Sequence, residues 1–124
     1  MDPSCIEAKP VNTPVSITAP ALHQRLEAGE AIQLVDVREA AELELARLGQ
    51  PVIHLPLSRS ELWLDQLEQL LDRDRPVTVL CHAGIRSWQF ACWLMQERHY
   101  PQVWNLVGGI DAWSTQVDAS VPRY

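Results

Sequence analysis

Short apolar runs alternate along this chain with stretches that carry a helical repeat. Val15 to Thr18 predicts a short strand, and Ala31 to Val37, AIQLVDV, a buried one rich in branched residues. Pro51 to Leu55, Val77 to Leu80 and Val103 to Leu106 predict three more. Between them, Pro20 suits the first turn of a helix over Ala21 to Ala28, which Gly29 can close. Glu39 to Leu48 predicts a short helix, acidic at its start and with Arg47 near its end. Ser60 suits the N-cap of a helix over Glu61 to Leu71, where Leu62, Leu64, Leu67, Leu70 and Leu71 form an apolar stripe. Ser87 stands where an N-cap belongs before Trp88 to Glu97, and Gly108-Gly109 leads into a last helix over Ile110 to Gln116.

Strands that alternate with helices, and are apolar throughout, predict an α/β fold: a parallel sheet with helices on both faces, in three layers. Such sheets carry their working residues at the C-terminal ends of strands, near the point where strand order reverses. Two segments bring reactive or charged groups to such ends: Asp36-Val37-Arg38 and Cys81 to Arg86.

Composition narrows the choice of function. With 124 residues, 47% of them hydrophobic and 21% charged, the chain predicts one domain over 15–124 after a flexible lead-in over 1–14. A formal charge of -6 argues against nucleic acid or an anionic membrane as partner, and a monomer is expected. No apolar run is long enough to span a bilayer, and MDPSCIEAKP lacks the character of a signal peptide, so the expected location is cytoplasmic. Cys5, Cys81 and Cys92 suit neither a disulfide framework nor a zinc knuckle, and the four histidines lack ligand spacing. No metal or cofactor is expected.

A cysteine that directly follows a buried strand, then a turn, then a helix start, lies where backbone N–H groups converge on an anion. The thiolate is the nucleophilic form of cysteine, and a helix N-terminus with a neighbouring cation favours it. Arg86 can supply that cation, and Gly84 lets the chain curl around the sulfur. The same cradle would stabilise a terminal persulfide, also an anion. His82 offers a further donor or a titratable group. The bland alternative is an inert core cysteine at a strand end.

The segment Cys81-His82-Ala83-Gly84-Ile85-Arg86-Ser87 resembles the active-site loop of the rhodanese family. LVDVREAAE at Leu34 to Glu42 resembles that family's aspartate-valine-arginine signature, and HLPLS at His54 to Ser58 the stretch that follows it. NLVGGIDAW at Asn105 to Trp113 resembles the second signature, and the closing VDASVPRY is similar to the tail of small stand-alone bacterial members. The resemblance implies a five-stranded parallel sheet in the order 3-2-4-5-1, with Asp36 and Arg38 close to Cys81. It also implies sulfur transfer: Cys81 takes the outer sulfur of thiosulfate or of a protein persulfide, and a thiol or cyanide removes it. Residues 82 to 87 would bind the donor and cradle the persulfide.

The sequence departs from the family in two places. Thiosulfate-specific relatives often carry basic residues where His82 and Ala83 stand, which argues against thiosulfate as the physiological donor. ELARLGQPVIHLP lacks the usual glycine-histidine-isoleucine, which predicts an altered loop before the third strand.

Each residue also has a plainer reading. Arg86 either binds the donor or is a solvated charge at a helix start. Asp36 and Arg38 are expected to support the loop by pairing with each other or with backbone. Cys92 suits a core position, and Cys5 an exposed thiol or one that resolves a persulfide. A non-catalytic binding module of the same fold is the rival function. A cysteine-dependent phosphatase or arsenate reductase is a further one, although such relatives carry one more residue between cysteine and arginine than the four found here.

Overall fold

The computed structural model describes residues 13–124. The lead-in expected over 1–14 therefore lies, up to residue 12 and including Cys5, outside the described residues. Strand β1 is Val15–Ile17, β2 Gln33–Asp36, β3 Ile53–His54, β4 Val77–Leu80 and β5 Val103–Leu106. Helix α1 is Ala19–Glu27, α2 Ala40–Leu45, α3 Leu67–Leu70, α4 Ile85–Arg98 and α5 Gly109–Gln116. The strands form one sheet, all parallel, in the order β1-β5-β4-β2-β3, which is the implied 3-2-4-5-1 read from the other edge.

The sheet separates two apolar cores because successive strand side chains face opposite sides. Val77, Val79 and Cys81 point to the core completed by α3, α4 and Trp63, whereas Leu80 joins the core under α1 and α5. Cys81 thus continues the alternation of β4 and starts on the face where α4 begins. None of the helices among the described residues is long and apolar enough to cross a membrane.

Three elements differ from the sequence prediction. The helix expected over Glu61 to Leu71 is broken into 3₁₀ turns at Leu57–Leu62 and Leu64–Gln66, followed by the single turn of α3. Trp63 causes the break: it leaves helical geometry at φ -135°, ψ -17°, buries its ring against Phe90 and Trp93, and donates from Nε1 to the Pro56 carbonyl at 3.0 Å. The buried positions become Trp63, Leu67 and Leu71, while Leu62 and Leu70 of the expected stripe face solvent. Helix α2 ends early because Ala46 is extended, so Arg47 lies beyond it. Helix α4 starts two residues before the expected Ser87 cap: Gly84, at φ 101°, takes the cap position and Ser87 lies inside the first turn.

Candidate active site

The site lies at the C-terminal ends of β2, β4 and β5. Gly84 and Ser87 turn their amides onto the Cys81 Sγ at 3.1 and 3.4 Å, and the Ser87 hydroxyl lies 3.3 Å from the same sulfur. The sulfur is at once enclosed and solvated by backbone, for Cys81 is only 1% exposed and belongs to a hydrophobic core. A neutral thiol has little use for two N–H donors. A sulfur anion, by contrast, needs several, and here they are fixed in place before any charge develops.

Ser87 has one hydroxyl proton and two acceptors within reach, since Asn105 Oδ1 lies 2.5 Å from its oxygen. When Cys81 is a thiol, the S–H donates to Ser87, which donates to Asn105. When the sulfur is charged, the serine proton can turn to it as a third donor. Asn105 stays in place because its Nδ2 donates to the Gly84 carbonyl at 3.0 Å, which also fixes the turn. Sequence reasoning gave Asn105 no role. Its signal was a polar side chain inside the otherwise apolar strand VWNL.

Helix α5 holds the loop from behind. Ile110 and Asp111 donate their amides to the carbonyls of Cys81 and His82 at 2.9 and 3.1 Å. This draws the carbonyls away from the sulfur and leaves the Gly84 and Ser87 amides facing it. The approach is close enough to require glycine: at Gly109 a Cβ would lie 2.3 Å from the Cys81 carbonyl oxygen and 2.4 Å from that of His82. The paired glycines thus do more than enter a helix.

The other loop side chains make contacts of their own. Arg86 pairs with Glu42, its two Nη groups meeting the two carboxylate oxygens at 2.7 and 2.8 Å, while its charge still acts on Cys81 through space. His82 stacks on the Tyr124 ring with centroids 4.2 Å apart, and Ile85 is exposed. Ala83 is exposed as well.

Asp36 and Arg38 form a buried ion pair, with Arg38 Nη2 at 2.8 Å from Asp36 Oδ2 and both side chains at most 2% exposed. Removing one member of such a pair costs about 3–5 kcal/mol, because the other charge is left buried alone. Arg38 also donates to the carbonyls of Glu42 and Ala46 and to the Tyr124 hydroxyl. It does not touch Cys81; its link to the loop runs through Glu42, which Tyr124 and Arg86 share. Burial lowers the basicity of Arg38, yet the hydrogen bonds to Asp36 and Tyr124 outweigh it and leave the group raised. The Arg86 hydrogen bonds hold the Glu42 carboxyl at about 2, against an ordinary 4.5, and Arg86 is raised in return. Glu42 and Tyr124 were not singled out in the sequence, because only folding brings residues 42, 86 and 124 together.

Cys92, expected as a small core residue, is buried on α4, but its sulfur is disulfide-bonded. Among the described residues, no group of three or more histidine, cysteine, aspartate or glutamate side chains is arranged to hold a metal ion.

A parallel sheet in this order, with a cysteine loop capped by one helix and clamped by another, defines a class of protein that comparison identifies. The rhodanese-like domain family matches residues 18–116, and the chain belongs to that family. A chloroplastic rhodanese-like/PpiC domain-containing protein of Arabidopsis thaliana is 42% identical over 93 residues, which are 74% of this chain and 30% of that protein. A protein of Allochromatium vinosum named sulfurtransferase is 35% identical over 98 residues, 79% of this chain and 86% of that one. The crystal structure of a rhodanese-like domain protein from Staphylococcus aureus superposes with a TM-score of 0.68 at 24% identity, covering 89% of this chain and 98% of that one, and so shares its fold. The chain therefore spans less than a third of the Arabidopsis relative and most of the Allochromatium one.

Proposed function

We propose that this chain is a sulfurtransferase that carries sulfane sulfur as a persulfide on Cys81. The observation that supports it best is the pair of amides, Gly84 and Ser87, aimed at a sulfur beside the start of α4. In the first step the Cys81 thiolate attacks the outer sulfur of the donor. A bond forms from Sγ to that sulfur, the donor's own S–S bond breaks, and the electron pair leaves on the departing group. In the second step an acceptor thiol or cyanide takes the outer sulfur, and the thiolate returns. The donor is thiosulfate or a persulfide on a small thiol or another protein. The name sulfurtransferase on the Allochromatium relative supports the same activity class.

The test is intact mass after incubation with thiosulfate and, separately, with glutathione persulfide. The expected result is a gain of one sulfur atom that Cys81→Ser abolishes. The enclosure of Cys81, at 1% exposure, favours one alternative, a binding module without turnover. A wild-type protein that gains no sulfur from any donor would decide for that alternative.

A further inference from the structure

Resting on the persulfide reading above, we propose that Glu42 sets donor specificity: it holds Arg86 back from the donor, favouring thiol persulfides and disfavouring the thiosulfate dianion. Glu42 engages both Nη groups of Arg86, at 2.7 and 2.8 Å, and is itself only 18% exposed. Tyr124 donates its hydroxyl to Glu42 Oε1 at 2.9 Å while accepting from Arg38, so the carboxylate is held from a second side.

Charge at this end of the sheet is accordingly cancelled. Among the described residues, Arg38 faces Asp36, Arg86 faces Glu42 and Arg123 faces Asp111. The sequence leaves only His82 and Ala83 after the cysteine, and His82 is stacked on Tyr124. The neighbours of the touching glycines Gly84 and Gly108 are apolar: Ile85 is 71% exposed and Val107 45%.

The two donor classes ask for different surroundings. A cysteine thiolate and thiosulfate together carry three negative charges, and after transfer these reside on the persulfide and on sulfite. With a thiol persulfide the reacting sulfur groups carry one charge if the donor is protonated and two if it is not, any further charge lying on the body of the donor away from the S–S bond, and the leaving group is a thiolate. In each case one S–S bond forms and one breaks, so no oxidant or reductant is needed. A mouth whose guanidinium groups are already matched by carboxylates offers little to the triply charged encounter. It suffices for the others, since the amides that hold Sγ belong to the backbone.

Steady-state kcat/KM of the full chain, with cyanide as acceptor, tests this with thiosulfate and glutathione persulfide as donors. Wild type should favour the persulfide by at least about tenfold. Glu42→Gln, which releases Arg86, should raise kcat/KM for thiosulfate about tenfold, equivalent to roughly 1.4 kcal/mol, mainly through KM. It should change the persulfide value by less than about twofold, and adding Arg86→Gln should remove the thiosulfate gain. Glu42→Ala carries the same expectation should the glutamine variant not fold. A persulfide borne on a donor protein, run alongside, separates a protein source from a small-thiol one, and preference for either over thiosulfate supports the role. A wild type that prefers thiosulfate overturns it, as does a folded Glu42 variant whose donor ratio is unchanged. If wild type loads sulfur from neither donor, the transfer reading falls first and this one with it; if it loads from both while the ratio stays fixed, only the role of Glu42 fails.

Discussion

Substituting Gly109 by alanine isolates the clamp that α5 places on the cysteine loop. The residue sits at φ +59°, a left-handed geometry that costs a non-glycine residue about 1–2 kcal/mol. Its added methyl would also meet the Cys81 and His82 carbonyl oxygens at 2.3 and 2.4 Å, where real contacts stay beyond 3.0 Å. The loop and helix must therefore part by roughly 0.7 Å, which weakens the Ile110 and Asp111 hydrogen bonds, each worth about 0.5–1.5 kcal/mol. Together these effects predict a loss of about 3 kcal/mol, or on the order of 10 °C in Tm for a domain of this size. Gly29→Ala is the internal control: its φ is +81°, yet nothing lies within 4 Å of an added Cβ, so it should lose only the backbone share, about a third as much. The displaced loop also pulls the Gly84 and Ser87 amides off the sulfur, and sulfur loading followed by mass should slow by about a hundredfold in Gly109→Ala alone. Equal melting temperatures for the two variants, or unimpaired loading in Gly109→Ala, would refute the clamp.

Two further outcomes follow from the same contacts. Because folded Glu42 binds its proton less tightly than the unfolded chain, its contribution to stability is complete above about pH 4.5 and fades as pH falls toward about 2. Wild type should exceed Glu42→Gln by about 1–2 kcal/mol at pH 7, allowing for solvent screening at the part-exposed Arg86, and denaturant midpoints should converge as the solution is acidified across that window. Asn105→Leu removes one hydrogen bond from the Ser87 hydroxyl, which keeps the Cys81 sulfur, and one from the Gly84 carbonyl, which keeps the Trp88 amide, at about 0.5–1.5 kcal/mol each, and should lower both Tm and the rate of sulfur loading. A stable variant with unchanged loading would show that Asn105 has no part in shaping the loop.

Much of the fold was legible because a buried parallel sheet writes itself as apolar runs, and VTVL and AIQLVDV have no other comfortable place. The approach of Cys81 to a helix start could be read for the same reason: its strand, its turn glycine and its helix are contiguous in sequence. The broken segment around Trp63 was not legible. Its leucines satisfy a helical repeat, and only the pocket beside Phe90 and Trp93 shows that the tryptophan outweighs them. Ser87 misled in a related way, since a serine before an apolar run suits a cap, but Gly84 reaches the left-handed cap geometry with no side chain to strain. The orientation of Arg86 depended on Glu42 and Tyr124, partners 44 and 38 positions away, which no local pattern reveals.

The grip on the cysteine is shared among residues that the ribosome makes at very different times. The residues of β4 and of the turn have all been made once residue 87 is added, yet the contacts that orient the turn come from Asn105, Ile110 and Asp111. During synthesis the thiol must therefore wait, ungrasped, for more than twenty further residues before it becomes the group the finished protein presents. The cradle around this cysteine is in that sense a property of the completed domain, and a nascent chain halted before α5 would carry the cysteine without its setting.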